Sequence, residues 1–316
     1  MRTLALVFVV ACGPQANWST AFSSSDRIVL SAWGTEKNQD RFFSGGGIGS
    51  GVSALALHFD GKKFVDLQAP GTDTLWWTFG FSPTDVWFAG EHGTVLHWDG
   101  SVFSASQSGT TETLYGIWGS AADDLWAVGG SPNVSAVIVH YNGQAWSAPS
   151  STPASSGAWW KVWGCARDRV FVVGDGGAIA FFDGNNWTVQ TSNTTLPLFT
   201  VAGRGCSDVY AVGGRSAGIA LHYDGSSWSS IAALKDAAGF SGVSVDSVGD
   251  VIVSGGQGRK FRRHLDIWSD DSLLVPHNAD FHAAFVAAPD DIFVVGGNFS
   301  APAGSPRTGE IAHYGK

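Results

Sequence analysis

The apolar residues of this chain fall in short runs that are separated by clusters of Gly, Asp, Asn and Ser. Such runs are typical of β-strands joined by tight turns rather than of amphipathic helices. They recur in groups of four, as in residues 114–146, where the predicted strands cover 114–118, 125–129, 136–141 and 145–148. Four short strands per group predict a small antiparallel sheet.

This four-strand unit occurs seven times, near residues 29–64, 75–103, 114–146, 159–187, 198–228, 240–268 and 281–314. An aspartate precedes the second run of every unit: Asp40, Asp85, Asp124, Asp168, Asp208, Asp250 and Asp291. These aspartates are 45, 39, 44, 40, 42 and 41 residues apart, which is the period of a propeller blade. The sequence therefore predicts an all-β fold, a seven-bladed β-propeller of four-stranded antiparallel blades, as one domain over residues 12–316.

Five units carry Asn-Gly or Asp-Gly between their third and fourth runs, at residues 60–61, 99–100, 142–143, 183–184 and 224–225. These dipeptides supply the positive φ angles of a tight hairpin. The seventh unit stops at Tyr314, before a fourth run, whereas residues 17–20 offer a spare run with Trp18. We expect this N-terminal strand to complete the last blade and to close the ring, which removes an exposed sheet edge.

Residues 124–130, DLWAVGG, followed by Tyr141 and Trp146, resemble the kelch repeat. Over nearly the whole mature chain the sequence is similar to secreted bacterial propellers built on a W-G-x-x-x-x-D-x-W-A-V-G unit. It departs from the kelch pattern in its Asp-Gly hairpin and in the fourth unit, where the Gly pair shifts to residues 176–177. The resemblance implies the fold but not the function, because propellers serve as enzymes, lectins and scaffolds.

The N-terminus carries an export pattern. Arg2 precedes an apolar stretch over residues 3–11, which is too short to span a bilayer and is typical of a secretory signal. Residues 9–12, VVAC, resemble a bacterial lipobox, which implies a signal peptide over 1–11 and a lipid anchor on Cys12, in the outer membrane of a Gram-negative cell. A plain signal peptide, which would release a periplasmic or extracellular protein, is the alternative.

Two further cysteines, Cys165 and Cys206, lie just before the repeat aspartates of units four and five. Both therefore fall near the turn after the innermost strand, where neighbouring blades approach one another most closely. An even cysteine pair in an exported protein favours a disulfide, which requires Cα atoms within about 7 Å. We expect a disulfide that joins adjacent blades.

Composition excludes several classes of function. Charged residues make up 14% and apolar residues 44%, so a folded core is expected rather than disorder. The net charge of -9 would repel a phosphate backbone, and we expect no nucleic-acid partner. We find no phosphate loop, no Cys-x-x-Cys pair and no nucleophile motif, so the sequence assigns no cofactor and no catalytic residue.

Six of the nine histidines occupy one position on the third strand: His58, His97, His140, His222, His264 and His313. Equivalent positions are spread around a propeller and cannot converge on one metal ion. We therefore predict no metal site, and we expect these side chains to be structural, with hydrogen bonds to neighbouring backbone.

Loop lengths indicate the binding face. From the first Gly after the second strand to the third-strand His or its substitute, the units take 13, 7, 11, 7, 9, 9 and 17 residues, whereas the Asp-Gly hairpin is constant. The variable hairpins and the connections between blades share one side of the disc, and loops diversify where a scaffold presents function. The predicted ligand face includes residues 45–53, 259–282 and 298–309.

Nine side chains are candidate ligand contacts. The tryptophans at first-strand starts could stack on a sugar or a peptide, with core packing as the alternative. The irregular sixth unit and the connection after it could hold an anion or a metal, with a solvated hairpin as the alternative. The residues are Trp76, Trp77, Trp159, Trp160, Arg259, Lys260, His277, Asp280 and His282.

These patterns favour a monomeric, non-catalytic binding or scaffold propeller that a lipid anchor holds to the membrane. Its partner is expected to be a protein or a glycan of the cell envelope. A lectin-like propeller is the first alternative, and a glycan-active hydrolase or lyase is the second.

Overall fold

The computed structural model describes residues 16–48, 51–234, 238–273, 280–299 and 307–316. Within these ranges the chain forms 28 strands and three short 3-10 helical turns. The strands form seven four-stranded sheets, and every paired neighbour is antiparallel, which confirms the predicted seven-bladed β-propeller. No helix in these ranges has the length and apolar character needed to cross a membrane.

The strands of the first four blades, from the channel outward, are as follows. Blade one has β2 Ile28–Gly34, β3 Arg41–Gly46, β4 Leu55–Phe59 and β5 Phe64–Asp66. Blade two has β6 Leu75–Ser82, β7 Asp85–Gly90, β8 Thr94–Trp98 and β9 Phe103–Gln107. Blade three has β10 Leu114–Ala121, β11 Asp124–Ser131, β12 Ser135–Tyr141 and β13 Trp146–Ser147. Blade four has β14 Trp159–Ala166, β15 Arg169–Gly174, β16 Ile179–Phe182 and β17 Trp187–Gln190.

The remaining three blades follow the same order. Blade five has β18 Leu198–Gly205, β19 Asp208–Gly213, β20 Ile219–Tyr223 and β21 Trp228–Ser230. Blade six has β22 Phe240–Val245, β23 Val251–Gly255, β24 Arg259–His264 and β25 Ile267–Asp270. Blade seven has β26 Asp280–Ala288, β27 Asp291–Gly297, β28 Gly309–Gly315 and, as its outer strand, β1 Asn17–Ser24.

Closure of the ring by the N-terminal strand is confirmed. β1 pairs with β28 over its whole length, and Trp18 lies opposite Tyr314. The Trp18 side chain is buried, and its indole N–H donates to Asp271 Oδ2 at 2.9 Å. The outer edge of blade seven is thereby covered by a strand that begins the described chain.

The outer hairpins form where the Asn-Gly and Asp-Gly dipeptides predict them. In blade three, Asn142 Oδ1 accepts from the backbone N–H groups of Gln144 and Ala145, both at 3.0 Å. Gly143 then turns the chain with φ +89°, a conformation that side chains rarely tolerate. The dipeptide thus supplies both the hydrogen-bond acceptor and the backbone freedom that the turn needs.

Apolar clusters between neighbouring blades form the core. Trp118 and Trp126 of blade three, for example, pack with Trp159 and Val162 of blade four. A Cβ atom on Gly164 would lie 2.5 Å from the Trp118 ring, and one on Gly80 would lie 2.8 Å from the Trp33 ring, so these glycines make room for the tryptophan of the preceding blade. A glycine at this position of the innermost strand therefore allows neighbouring blades to pack closely.

The six repeat histidines bond to side chains, which corrects the expectation that they bond to backbone. Each ring donates to the aspartate that begins the second strand of its own blade, at 2.6–2.9 Å. The pairs are His58–Asp40, His97–Asp85, His140–Asp124, His222–Asp208, His264–Asp250 and His313–Asp291. The histidine ring uses a carboxylate rather than a backbone carbonyl as its acceptor, because the amides and carbonyls of the strands already pair with each other.

Candidate binding site

A β-bulge marks the start of the innermost strand in every blade. The pairing register with the second strand slips there, so that one residue is left without a Cα partner. These seven residues, here called the collar, are Leu30, Trp76, Tyr115, Trp160, Phe199, Ser241 and His282. Innermost strands begin on the side of the disc where the blades are connected, so the collar lies on the variable-loop face.

Five members of the collar form a continuous arc of rings. The ring-centroid distances along it are 5.8 Å for His282–Trp76, 5.1 Å for Trp76–Tyr115, 4.5 Å for Tyr115–Trp160 and 5.4 Å for Trp160–Phe199. All five side chains are half-buried. Aromatic rings held against one another in this way keep their faces available without much loss of side-chain entropy on binding.

A cavity of about 640 Å³, here called the bowl, lies beside this arc. The aromatic rings line one side, and small residues of blades five and six line the other, among them Gly214, Gly239 and Ser241. A second cavity of about 590 Å³, here called the channel, is lined by residues of all seven innermost strands. Lys161 lines both cavities, so its side chain lies where the bowl meets the channel.

Lys161 is buried, with 3% of its surface exposed. Its Nζ atom donates to the Tyr115 carbonyl at 2.7 Å and lies 3.4 Å from the centroid of the Trp77 ring. Burial lowers the pKa of this amine well below its usual value, because the desolvated cation loses its hydration. The ring face of Trp77 offsets part of that loss.

His282 is the second unusual titratable group. Its Nδ1–H donates to the Leu30 carbonyl at 2.6 Å, and its ring lies between Trp76 and Phe299. Burial, with a smaller contribution from the nearby Lys161, lowers the pKa of His282 to about 3. The imidazole is therefore neutral at physiological pH.

Two further charged groups line the bowl at its rim, the exposed Arg215 and the half-buried Asp280. The Arg215 guanidinium lies 5.2 Å from the centroid of the Phe199 ring. Asp280 accepts the backbone N–H of Gln257 at 2.8 Å through Oδ1. In the described ranges Asp280 is the one carboxylate that lines the bowl.

The structure brings four of the predicted ligand contacts to the bowl: Trp76, Trp160, Asp280 and His282. Trp77 lies one position farther down β6 and lines the channel. Trp159 belongs to the core between blades three and four, with 1% of its surface exposed, so it cannot contact a ligand there. The alternation of a strand explains this difference, because neighbouring residues face opposite sides.

The basic cluster of blade six does not reach the bowl. Lys260 is fully buried between blades six and seven, where Nζ lies 5.4 Å from the ring centroids of Trp18 and Phe281. Arg259 begins β24, the third strand of blade six counted from the channel, and does not line the bowl. His277, like Cys12, lies outside the described residues.

Cys165 and Cys206 are joined in a disulfide between blades four and five, with their Cα atoms 5.4 Å apart. The pair lies at the opposite end of β14 and β18 from the collar, on the face of the constrained turns. It therefore links the two blades without entering the bowl.

Four further residues of the bowl were not predicted from the sequence: Tyr115, Lys161, Phe199 and Arg215. One signal could have found Lys161. When the seven units are aligned on their bulges, the other blades place Ser31, Trp77, Gly116, Thr200, Gly242 and Ala283 at its position. A lysine at a position that otherwise carries no charge, on an innermost strand, indicates a group with a function in the channel.

No group of three or more His, Cys, Asp or Glu side chains in the described part of the chain is arranged to hold a metal ion. The residues of the bowl supply instead aromatic faces, two cationic groups and one carboxylate. Such a lining can bind and orient a ligand.

No protein-family model and no curated protein matches the chain. Solved structures match its fold. YCF48 bound to D1 peptide has a TM-score of 0.67 and 15% identity, over 95% of this chain and 97% of that one. YCF48 from Cyanidioschyzon merolae has a TM-score of 0.67 and 12% identity, over 95% and 99%. Selenomethionine-substituted virginiamycin B lyase from Staphylococcus aureus has a TM-score of 0.69 and 9% identity, over 93% and 99%. At these identities the likeness shows a shared fold.

Proposed function

We propose that this chain is a non-catalytic binding propeller whose ligand, an extended segment of a partner protein, occupies the bowl on the variable-loop face. The observation that carries the proposal is the arc of half-buried rings from His282 to Phe199 beside a cavity of about 640 Å³. Clefts of this size with aromatic walls and few polar groups are the usual sites of ligand recognition.

Two considerations support a peptide as the ligand. The bowl is open on the variable-loop face and walled by loop residues such as Ser216 and Gln257, whose backbone groups can hydrogen-bond an extended chain. Among proteins of similar fold, YCF48 has been solved bound to a peptide. Among the described residues Asp280 is the one carboxylate of the lining, whereas most glycoside hydrolases work with a pair of acids.

A lectin-like function is the second candidate. Its support is the exposure of planar ring faces in the collar, since sugars stack on such faces. A protein segment and a glycan differ in what they require of the bowl, so one set of variants distinguishes them.

The test is a peptide array and a glycan array, probed with the full mature protein. The Trp160→Ala variant should weaken binding to the recovered peptides by about 30-fold, the usual cost of losing an interface tryptophan. Trp268→Ala, a half-buried tryptophan on the outer strand β25, is the matched control and should bind as the wild type does. Glycan binding that depends on Trp160 would replace the peptide by a sugar, and binding that ignores Trp160 would contradict a ligand in the bowl.

We further propose that the protein is exported and anchored through lipid on Cys12, which would present the bowl at a membrane surface. Labelling of cells with a fatty-acid analogue should mark the wild type, and Cys12→Ser should abolish the label. Equal labelling of the two proteins contradicts the anchor without bearing on the bowl.

A further inference from the structure

We propose that the bowl is selective for ligands that carry a carboxylate, and that Lys161 at its floor supplies the cation with which this carboxylate pairs. The inference rests on the proposed function, because it names the chemistry of the group that would enter the bowl. Lys161, its neighbours and the charges of the rim carry it.

The side chain of Lys161 occupies space that a glycine of the neighbouring blade leaves open. A Cβ atom on Gly116 would lie 3.1 Å from the Cα and 3.2 Å from the Cδ of Lys161. The side chain therefore runs from blade four across the glycine of blade three and places Nζ over the Trp77 ring of blade two. Any larger residue at position 116 would displace it.

The buried amine of Lys161 has no acidic partner among the residues that the structure describes. In the described ranges no carboxylate oxygen lies within 4.0 Å of Lys161 Nζ, whereas Arg41 and Lys316 hold carboxylates at 2.7 and 2.6 Å. A buried cation without a counter-charge is costly to the fold. Such a group is expected where a ligand brings the missing charge.

The remaining charges of the bowl agree with an anionic ligand. Arg215 has no ion pair in the described part of the chain and stands at the rim over Phe199. Asp280 is bonded to the Gln257 backbone. Among the described residues the lining holds two basic groups against one carboxylate, in a chain whose net charge is -9. The exposed guanidinium of Arg215 attracts an anion to this face, and Lys161 can pair with the anion once it is bound.

The aromatic residues of the collar determine which kind of chemical group can carry the ligand's carboxylate. A ligand that reaches Lys161 passes between Tyr115, Trp160 and Phe199, so the part next to the carboxylate should be apolar or aromatic. Two sources fit this chemistry: the free C-terminus of a peptide with an apolar last residue, and a small aromatic acid.

The experiment compares acids with their neutral amides on the full mature protein by titration calorimetry. The probes are 3-phenylpropionate against 3-phenylpropionamide, and the peptide Ala-Ala-Phe with a free against an amidated C-terminus. A charge-assisted hydrogen bond contributes about 1.5–3 kcal/mol, so each acid should bind about 10- to 100-fold more tightly than its amide. If only the peptide acid binds, the source is a C-terminus; if the small acid binds as well, both sources fit.

Lys161→Met keeps the length and burial of the side chain but removes its charge, so it should abolish the preference for acids. Lys63→Met, on the exposed outer hairpin of blade one, is the matched control and should retain the preference. The fold of Lys161→Met is checked by its melting temperature, which should not fall much, since the variant no longer desolvates an amine.

The pH dependence of the wild type provides a test that needs no variant. Burial lowers the pKa of the free amine, and a bound carboxylate should raise it again, so acid binding should take up a proton and weaken as pH rises from 7 to 10. Among the groups that face Lys161, His282 stays neutral there because its pKa is about 3, and the pKa of Tyr115 is raised. Arg215 and Asp280 stand at the rim, and Glu36 and Lys37 line the far end of the channel. Amide binding should not change over the same range.

Equal affinity for acids and amides, an acid preference that survives Lys161→Met, or no binding of either acid at millimolar concentrations would overturn the carboxylate site. Affinity for acids that does not change up to pH 10 would do so as well. Failure of the proposed function looks different: peptides recovered from the array would then bind independently of Trp160. Binding that needs Trp160 but ignores the carboxylate leaves the proposed function standing and removes this inference alone.

Discussion

Ionisable side chains occur in two very different settings in this propeller, the second and third strands of the blades and the central channel. In the blades, one histidine–aspartate pair repeats six times, and five of the six rings also pack on the aromatic ring opposite them on the second strand, as His140 does on Trp126 at 4.3 Å between ring centroids. At the centre of the propeller, Lys161 lies where the bowl meets the channel and His282 lines the bowl; each occurs once, and neither has an acidic partner in the described ranges.

The difference separates structural groups from functional ones. A group that repeats with the blade period and finds its counter-charge inside its own blade stabilises that blade. A group that breaks the period and is buried without a counter-charge costs stability, and its retention is understandable where a ligand compensates for it. Lys260, the other buried lysine, marks the intermediate case: burial lowers its pKa, but Asp271, Glu310 and Asp270 oppose the shift.

Blade four lacks the histidine–aspartate pair that the other six blades contain. Its variants should show the largest change in stability among those predicted here. Phe181 occupies the position at which the other blades have histidine, and a disulfide joins this blade to blade five. Replacing both cysteines by serine should lower the free energy of unfolding by about 4 kcal/mol, because the link closes a loop of 41 residues in the unfolded chain. Urea unfolding measures the loss.

Intact-mass measurement supplies the control for this prediction. The wild-type protein should gain the mass of two hydrogen atoms on reduction, and the double variant should not change. A wild type whose mass does not respond to reductant would leave Cys165 and Cys206 as two free thiols.

The fold could be predicted from the sequence because its signals repeat. Seven aspartates at a regular period, five Asn-Gly or Asp-Gly hairpins and the spare run around Trp18 each depend on local chemistry that a sequence displays. The predicted strands of residues 114–146 differ from β10 to β13 by at most three residues at any end.

The site could be predicted only in part, because it does not repeat. Trp76 and Trp160 drew attention as tryptophans outside the regular positions, and both line the bowl. A β-bulge turns each collar residue towards the bowl. Such a slip of the pairing register cannot be recognised from the type of any residue in the sequence. Tyr115, Phe199 and Lys161 were therefore not predicted from the sequence. The polar cluster of blade six was predicted from proximity in sequence, but Arg259 and Lys260 do not line the bowl.

The repeated pairs can be tested within the protein by comparing blade three with blade four. Asp124 is buried and accepts hydrogen bonds from His140 and Ser120, whereas Asp168 is exposed and contacts Arg169. Asp124→Ala should therefore cost about 2–3 kcal/mol in urea unfolding at pH 7, and Asp168→Ala about 0.5 kcal/mol or less.

The pH dependence of this difference has a definite sign. Burial acts to raise the pKa of Asp124, but the hydrogen bonds from His140 and Ser120 outweigh it, so the pKa is lowered from its ordinary value of 3.8. The stabilisation is present above that value and is lost as pH falls through the lower folded-state pKa. Equal losses for Asp124→Ala and Asp168→Ala at pH 7 would contradict a stabilising role of the repeated pair.

The smallest expected effect concerns His282 at the centre of the propeller, whose protonation should oppose folding. The folded-state pKa of His282 is about 3, below the unfolded value of 6.5, so the unfolded chain binds the proton more tightly between these values. Stability should fall as pH decreases from 7 to 5, and His282 should account for about 1–2 kcal/mol of that fall.

His282→Asn keeps an amide donor for the Leu30 carbonyl and should remove this part of the slope, whatever its stability at pH 7. His92→Asn is the matched control, because the exposed His92 has a pKa that Asp73 raises, so losing it cannot reduce the fall in stability towards pH 5. If the two variants change the slope in the same direction, His282 is not the uncompensated group that distinguishes the channel from the blades.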